Sequence, residues 1–281
     1  MCRGTLYTPE PVPASTTRWL VRFGYDGAAY YGWARQPGLR TVEGELLGGL
    51  VRLKVVPSAE RARLAVASRT DRGVSARANA LALSTDLSSE ALLRSLNGVS
   101  TNLSFLAATP VSEEFRVRQA ARRIYRYFEP SREHNFDRWE RAARFFSGTI
   151  DVRSFGRGLP TGTPVYRDVE SVTMAPVKGG LVVEVRAPSF VWGMVRKIIA
   201  AFREYDAGRV TLSRLEAAVR GQVRLTLPMA EPEGLVLWDV EYPARWTVHW
   251  NGPSRRRAEH TRAQTDALWM RSNVLAALST A

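Results

Sequence analysis

The chain has 281 residues, 45% hydrophobic and 24% charged, which is enough to build one large globular domain or two of ordinary size. Its 40 basic residues outnumber 27 acidic ones, and the net charge of +13 favours a polyanionic partner, nucleic acid ahead of an anionic membrane. The only cysteine, Cys2, excludes internal disulfides and cysteine metal sites, and three scattered histidines without ligand spacing indicate no metal.

The first half of the chain predicts the element order strand, helix, strand, strand, helix, strand. Thr41 is a suitable cap for the first helix, and Gly98 is placed to end the second. The predicted strands are 18–25, 64–68, 79–85 and 103–108, and the predicted helices are 41–54 and 88–97.

The second half repeats that order with one additional short helix. Asp137 and Glu140 resemble a capping box at the start of its first helix, and the glycines after residue 178 indicate a hairpin. The predicted strands are 122–128, 169–175, 181–186 and 235–242, and the predicted helices are 137–146, 189–205 and 212–220.

This repeated order predicts an α+β protein of two ferredoxin-like β-α-β-β-α-β halves, whose antiparallel sheets flank a basic active-site cleft. The predicted domains are residues 18–112 and 113–244. They are preceded by a flexible lead at 1–17 and followed by a basic tail with a helix at 245–281. The lead lacks the layout of a signal peptide, and no apolar run is long enough to span a bilayer, so we expect a cytoplasmic protein.

The run from Ala67 to Ala76 contains one carboxylate, Asp71, between two arginines and just before a glycine. Aspartate and glycine favour tight turns, so an ordinary surface turn is one interpretation. The other is functional, because a carboxylate held by guanidinium groups stays ionised and oriented and is a candidate nucleophile or base.

Several common catalytic motifs are absent from the chain. There is no Walker A loop, no dinucleotide-binding fingerprint in a strand–helix context and no Gly-x-Ser-x-Gly elbow. The aromatic signature of RNA-recognition motifs is missing too. No carboxylate cluster or histidine pair suggests a nuclease. These absences favour chemistry that needs no cofactor.

Four further runs accompany the Arg69–Val74 run, in order along residues 18–242. The first is Tyr25-Asp26-Gly27, followed by Tyr31-Gly32-Trp33-Ala34-Arg35-Gln36-Pro37 and leading into Thr41-Val42-Glu43-Gly44. The others are Arg123-Ile124-Tyr125-Arg126-Tyr127, Ser189-Phe190-Val191-Trp192-Gly193-Met194-Val195-Arg196-Lys197-Ile198, and Pro232-Glu233-Gly234-Leu235-Val236-Leu237. Together the five runs resemble the tRNA pseudouridine synthase TruA family. Ser75, where a histidine is frequent in bacterial members, resembles the archaeal and eukaryotic variant.

The resemblance implies a cofactor-free isomerase that converts uridine to pseudouridine in the anticodon arm of tRNA, at positions 38–40, usually as a homodimer. By motif match, Asp71 is the catalytic aspartate, Tyr125 stacks on the target base and Arg196 pairs with the aspartate. Arg69 matches the arginine that holds the space left by the extruded base. The further residues of these runs expected to bind RNA are Arg35, Arg72 and Lys197.

Each assignment has a plainer alternative. Tyr125 and Tyr127 share a strand face, for which core packing is the ordinary explanation, and Arg196 fits a solvated helix surface. For the whole chain, the alternative is a non-catalytic RNA-binding protein or tRNA chaperone on the same scaffold. Such a protein needs the charge and the sheets but neither Asp71 nor Tyr125.

Overall fold

The computed structural model describes residues 16–130, 135–159, 161–162, 164–177, 179–249, 268 and 270. The strands within these residues are Thr17–Tyr25 (β1), Ala65–Val66 (β2), Ser75–Thr85 (β3), Leu103–Val111 (β4), Arg122–Pro130 (β5), Gly148–Asp151 (β6), Tyr166–Val169 (β7), Ser171–Val177 (β8), Gly180–Ala187 (β9), Leu235–Glu241 (β10) and Val248–His249 (β11). The α-helices are Val42–Arg52 (α1), Ser89–Asn97 (α2), Phe136–Ala143 (α3), Met194–Asp206 (α4) and Leu212–Val219 (α5).

One nine-stranded sheet runs through both halves in the order β11-β4-β1-β3-β10-β5-β9-β8, with β2 paired to β3. Among the described strands every pairing is antiparallel except that of β3 with β10. The predicted α+β class is confirmed. The structure adds that the two antiparallel halves join edge to edge, through Val236 opposite Ser75 and Leu237 opposite Ala76. The domain boundaries themselves stay a prediction.

Large aromatic side chains fill the core in both halves. In the first half, the ring of Phe23 lies 5.6 Å from Trp33 and 5.9 Å from Phe105. In the second half, the ring of Phe202 on α4 lies 5.4 Å from both Trp139 and Phe146. These rings belong to one continuous buried cluster, which fixes α4 against its half of the sheet.

Side-chain caps begin four of the five described α-helices, namely α1, α2, α3 and α5. The Gly44 N–H donates to the Thr41 hydroxyl at the start of α1, and the Ala91 N–H donates to the Ser88 hydroxyl at the start of α2. Both starts agree with the sequence. The predicted capping box of α3 is wrong, because its cap is Asn135, whose side chain accepts from the Arg138 N–H.

Helix α4 begins at Met194, five residues later than the sequence predicts. Gly193 has a φ of 76°, in the left-handed region, which a right-handed helix cannot continue through. The preceding run therefore forms a turn, closed by the Met194 N–H donating to the Val191 carbonyl at 3.1 Å. Trp192 therefore lies in this turn and not on the surface of α4, and it lines the cleft described below.

Three short strands were not predicted. Strands β6 and β7 form a separate two-stranded sheet, and β11 adds to the edge of the main sheet at β4. Of the predicted basic tail, only residues 245–249, 268 and 270 are described, so most of it lies outside the described residues. The predicted lead at 1–17 lies outside them as well, apart from its last two residues.

A buried ion pair joins β5 to α4. Arg203 contacts the deeply buried Glu129 with a shortest distance of 2.7 Å, and it also contacts Glu231 at 2.6 Å. Burial opposes the charge on Arg203, but its hydrogen bonds to Glu129 and Glu231 outweigh that effect and raise its pKa.

We expect Arg203→Met to lower the free energy of unfolding by about 3–5 kcal/mol, because it breaks a buried ion pair by removing a cation that is hydrogen-bonded to both oxygens of the Glu129 carboxylate. Urea unfolding measures the change. The matched control is Arg209→Met, whose ion pair with Glu204 is less buried, with side chains 62% and 20% exposed against 25% and 1% for Arg203 and Glu129, and it should change stability much less. Equal effects of the two substitutions would show that burial does not strengthen the Arg203 pair.

Candidate active site

Asp71 lies in the loop between β2 and β3, beside the point where the two halves join. The Val74 N–H donates to the Asp71 carbonyl at 3.2 Å, so the loop is a turn, as the plainer interpretation of the sequence proposes. Buried Thr70, the residue before Asp71, anchors the turn to the protein interior. The Thr70 hydroxyl shares a 2.8 Å hydrogen bond with the Tyr25 hydroxyl, and its carbonyl accepts from the Trp33 N–H at 3.0 Å.

Gly32 lies in close contact with the backbone of this same turn. Its φ is +95°, and a Cβ added there would lie 3.0 Å from the Thr70 carbonyl oxygen and 3.1 Å from the Arg72 backbone nitrogen. Both atoms are backbone, so they cannot move aside cheaply. The Asp71 loop therefore needs glycine at position 32, because of the backbone conformation and because of the space.

We expect Gly32→Ala to lower turnover about tenfold or more, because displacing the Asp71 loop by even 1 Å misplaces its carboxylate. Steady-state kinetics measure the loss. The control is Gly38→Ala, which carries a comparable positive φ of +71° but has nothing within 4 Å of the added Cβ. If both variants lose activity equally, backbone strain rather than loop position is responsible.

Arg196 reaches Asp71 from α4, across the junction of the two halves. Its Nη1 lies 3.1 Å from the Asp71 Oδ2, and its Nε donates to the Ala230 carbonyl at 2.6 Å. The Arg196 side chain is 14% exposed and that of Asp71 is 29% exposed. The structure thus brings together these two residues, which lie far apart in the sequence.

The other oxygen of the carboxylate accepts from Trp192, which sequence reasoning assigned no role. The Trp192 indole N–H donates to the Asp71 Oδ1 at 2.8 Å. Arg157 lies over the indole ring, with its Cζ 4.7 Å from the centroid. The sequence signal was Gly193 immediately after Trp192, which separates the tryptophan from the helix.

Tyr125 lies in the wall of the same cleft and is almost fully buried. Its ring packs edge-on against Phe190 at 4.9 Å. Burial raises the pKa of Tyr125; a hydrogen bond from Ser68 opposes that rise, and the negative charge of Asp71 adds to it. The phenol is therefore neutral near neutral pH. Tyr127, on the same strand face, does not line the cleft and contacts Arg203 and Glu231 instead.

Arg123 begins one of the five runs quoted above, but the sequence assigned it no role. It is buried, and it donates to the Ala67 carbonyl at 3.1 Å, to the Ser68 hydroxyl at 3.0 Å and to the Pro188 carbonyl. One side chain on β5 therefore ties the strand that leads into Asp71 to the segment that leads into Trp192. Its place in the Arg123–Tyr127 run gives no indication of these contacts, because all three partners lie far away in the sequence.

Both halves line a cleft of about 1040 Å³ around the Asp71 carboxylate. Arginine dominates its charged lining, with only Asp71 and Glu233 as carboxylates. The lining arginines are Arg69, Arg72, Arg118, Arg123, Arg157 and Arg196. Such a cleft attracts a polyanion while keeping one carboxylate at its centre.

The other predicted RNA-binding residues differ in where they lie. Arg69 and Arg72 line the cleft with exposed side chains, and the Arg72 Cζ lies 4.4 Å from the Tyr31 ring centroid. Arg35 and Lys197 do not line it. Burial, and then the charge of Arg157, lower the pKa of Lys197. Contact of Arg35 and Lys197 with RNA stays a prediction.

Comparison with known proteins identifies the family. A family model described as tRNA pseudouridine synthase matches residues 142–243. The tRNA pseudouridine synthase A of Thermococcus kodakarensis is 37% identical over 225 residues, covering 79% of this chain and 84% of the relative. That of Thermococcus onnurineus is 36% identical over 249 residues, covering 86% and 91%.

The chain belongs to the tRNA pseudouridine synthase A family. The resemblance inferred from five sequence runs is thereby confirmed. The matched segment, 142–243, contains Arg196 and Trp192, whereas Asp71 and Tyr125 lie before it. Among solved structures, a Cbf5-Nop10-Gar1 complex aligns with a TM-score of 0.32 and 13% identity, covering 66% of this chain and 43% of that one.

The described residues of this tRNA pseudouridine synthase A family member contain no group of three or more histidine, cysteine, aspartate or glutamate side chains that could hold a metal ion. Within the same ranges, no helix has both the length and the apolar character needed to cross a membrane.

Proposed function

We propose that this chain isomerises uridine to pseudouridine in the anticodon arm of tRNA, at positions 38–40, with Asp71 as the catalytic group. Membership of the family makes it an isomerase that acts on uridine in tRNA. The anticodon arm is the proposed refinement. The observation that supports a catalytic Asp71 most strongly is its carboxylate, held on both oxygens inside an arginine-lined cleft.

The reaction rearranges one nucleoside without a net oxidant or reductant. The bond from ribose C1′ to uracil N1 breaks, the uracil turns, and C5 bonds to C1′. C5 loses its proton and N1 ends with one, so atoms and charge balance. The Asp71 carboxylate could attack the sugar, attack the base or remove a ribose proton, and all three routes use the same position. Each requires the uridine to leave its stack first.

The roles proposed for the residues around Asp71 come from the family resemblance, and the positions of these residues are compatible with those roles. The ring of Tyr125 stacks on the uracil, because it is a neutral aromatic surface in the cleft wall. Arg196 holds the carboxylate in position. Arg69, exposed at the cleft beside Asp71, occupies the space that the extruded uridine leaves, and Arg72 binds RNA next to it.

We propose a homodimer, which is what the resemblance implies, and a cytoplasmic location, which is the expectation from the sequence pattern. Sedimentation equilibrium of the purified chain tests the dimer by its mass. A mass of one chain at micromolar concentration would contradict the dimer.

A purely RNA-binding role gives no reason for a carboxylate oriented by two donors.

We expect tRNA binding to weaken steeply with salt, because lining arginines that neutralise phosphates release counterions. If about four phosphates are neutralised, raising the salt concentration about fourfold should raise the Kd roughly 50-fold. Filter binding with the Asp71→Asn variant measures affinity without turnover. A Kd independent of salt would contradict binding through the arginine-lined cleft.

The proposed function is tested by mapping pseudouridine in tRNA transcripts incubated with the purified protein and no added nucleotide. We expect conversion of a uridine in the anticodon arm. Conversion only of uridines elsewhere in the tRNA would overturn the proposed location in the anticodon arm, whereas the proposed isomerase activity would still hold. No conversion in a full set of tRNA transcripts from the source organism would overturn the activity itself.

A further inference from the structure

The two oxygens of the Asp71 carboxylate are held by different residues. Arg196 binds Oδ2 at 3.1 Å, and the Trp192 indole N–H binds Oδ1 at 2.8 Å. A single donor leaves a carboxylate free to rotate about its Cβ–Cγ bond and to exchange its oxygens. Two donors, one on each oxygen, fix the carboxylate plane and so direct its remaining lone pairs.

Trp192 is itself held in place, although its residue is 52% exposed. The Arg157 guanidinium lies over the ring, and the Arg157 backbone N–H donates to the Trp192 carbonyl at 2.8 Å. On the far side of this turn Gly193, with its positive φ, keeps the tryptophan out of α4. The indole therefore approaches Asp71 from a built turn rather than from a free surface position.

We propose that Trp192 is a positioning residue, whose indole N–H orients the Asp71 carboxylate for the isomerisation. The proposal rests on the proposed function, since it concerns how Asp71 performs it. Arg196 is nearly buried and also held by Ala230, so it fixes one oxygen; Trp192 fixes the other. Orientation of the reacting group matters in the transition state, so the effect falls on kcat rather than on tRNA affinity.

The test is Trp192→Phe, which keeps an aromatic ring near Arg157 and removes the N–H donor together with part of the indole ring area. We expect kcat on tRNA to fall roughly 10- to 100-fold, the effect of a lost hydrogen bond to a charged group. The tRNA Kd should stay within about twofold. The side chain is half exposed, so the thermal midpoint should hardly move.

The matched control is Trp238→Phe. Trp238 also stacks with arginine, its ring centroid lying 3.8 Å from the Arg126 Cζ and 4.5 Å from the Arg77 Cζ, but it does not line the cleft. This variant should retain kcat and Kd. An equal loss of kcat in both variants would overturn the proposal.

A double-variant cycle separates orientation from a general structural effect. If Trp192 and Arg196 orient the same carboxylate, the losses in Trp192→Phe and Arg196→Ala should not multiply in the double variant. Independent, multiplicative losses would contradict the proposal. A weaker Kd with unchanged kcat in Trp192→Phe would also overturn it and would make the ring an RNA-stacking surface.

The outcomes distinguish failure of the proposed function from failure of the role proposed for Trp192. If the wild-type protein forms no pseudouridine, the proposed function fails. If the wild type is active and Trp192→Phe matches it in kcat, only the role of Trp192 fails.

Discussion

Asp71→Asn is expected to lower pseudouridine formation by about 10⁴-fold or more while leaving the tRNA Kd within about twofold. Asparagine occupies the same volume, so the turn and the cleft stay intact. The amide lacks the negative charge needed to attack carbon or to remove a proton, and losses of this size are typical when the reacting group itself is removed. Single-turnover kinetics with enzyme in excess measure the rate, and filter binding measures the Kd.

The chain offers a matched control for this variant. Asp239 on β10 pairs with Arg22 at 2.6 Å, and neither residue lines the cleft. The Asp239 side chain is 23% exposed, which is close to the 29% of Asp71. Asp239→Asn should therefore leave turnover unchanged. If it lowers the rate as much as Asp71→Asn does, general loss of an ion pair explains both results.

Arg196→Ala is expected to lower kcat by about 10²- to 10³-fold. The variant removes the guanidinium from the Asp71 Oδ2 and its anchor on the Ala230 carbonyl, so the carboxylate loses one of its two orienting donors and its neutralising charge. Arg196→Lys should recover only part of the loss, because an ammonium cannot reproduce the planar fork that reaches both partners. Steady-state kcat and the tRNA Kd together measure the effect.

Arg22→Ala is the control for that variant, since it breaks the ion pair with Asp239 outside the cleft. It should leave kcat unchanged. An Arg196→Ala variant with wild-type kcat would mean that the pairing seen across the cleft has no part in turnover. A weakened Kd alone would make Arg196 an RNA-binding residue instead.

Most of the fold follows from local patterns. Apolar periodicity and a capping threonine predict α1 closely, and the hairpin of β8 and β9 follows from alternation around a glycine pair. The start of α4 fails for a specific reason: the run before Met194 has helical periodicity, and only the left-handed backbone of Gly193 interrupts it. The two-residue strand β11 depends on pairing with a distant strand, for which no local signal exists.

The candidate site depends more on long-range pairing than on local pattern. The motif run shows that Asp71 stands between arginines, but only the parallel pairing of β3 with β10 brings it close to α4 and Tyr125. The match of Arg196 to Asp71 came from the family resemblance, and the geometry agrees with it. Trp192 and Arg123 were missed because their contacts involve backbone turns and strands far away in sequence.

The most direct test of the account is to follow conversion of one unmodified tRNA transcript by wild type and Asp71→Asn under identical single-turnover conditions, with tRNA binding measured for both. The account predicts that both proteins bind equally and that only the wild type forms pseudouridine. Normal conversion by the asparagine variant would contradict the claim that this carboxylate, held between Arg196 and Trp192, carries out the reaction.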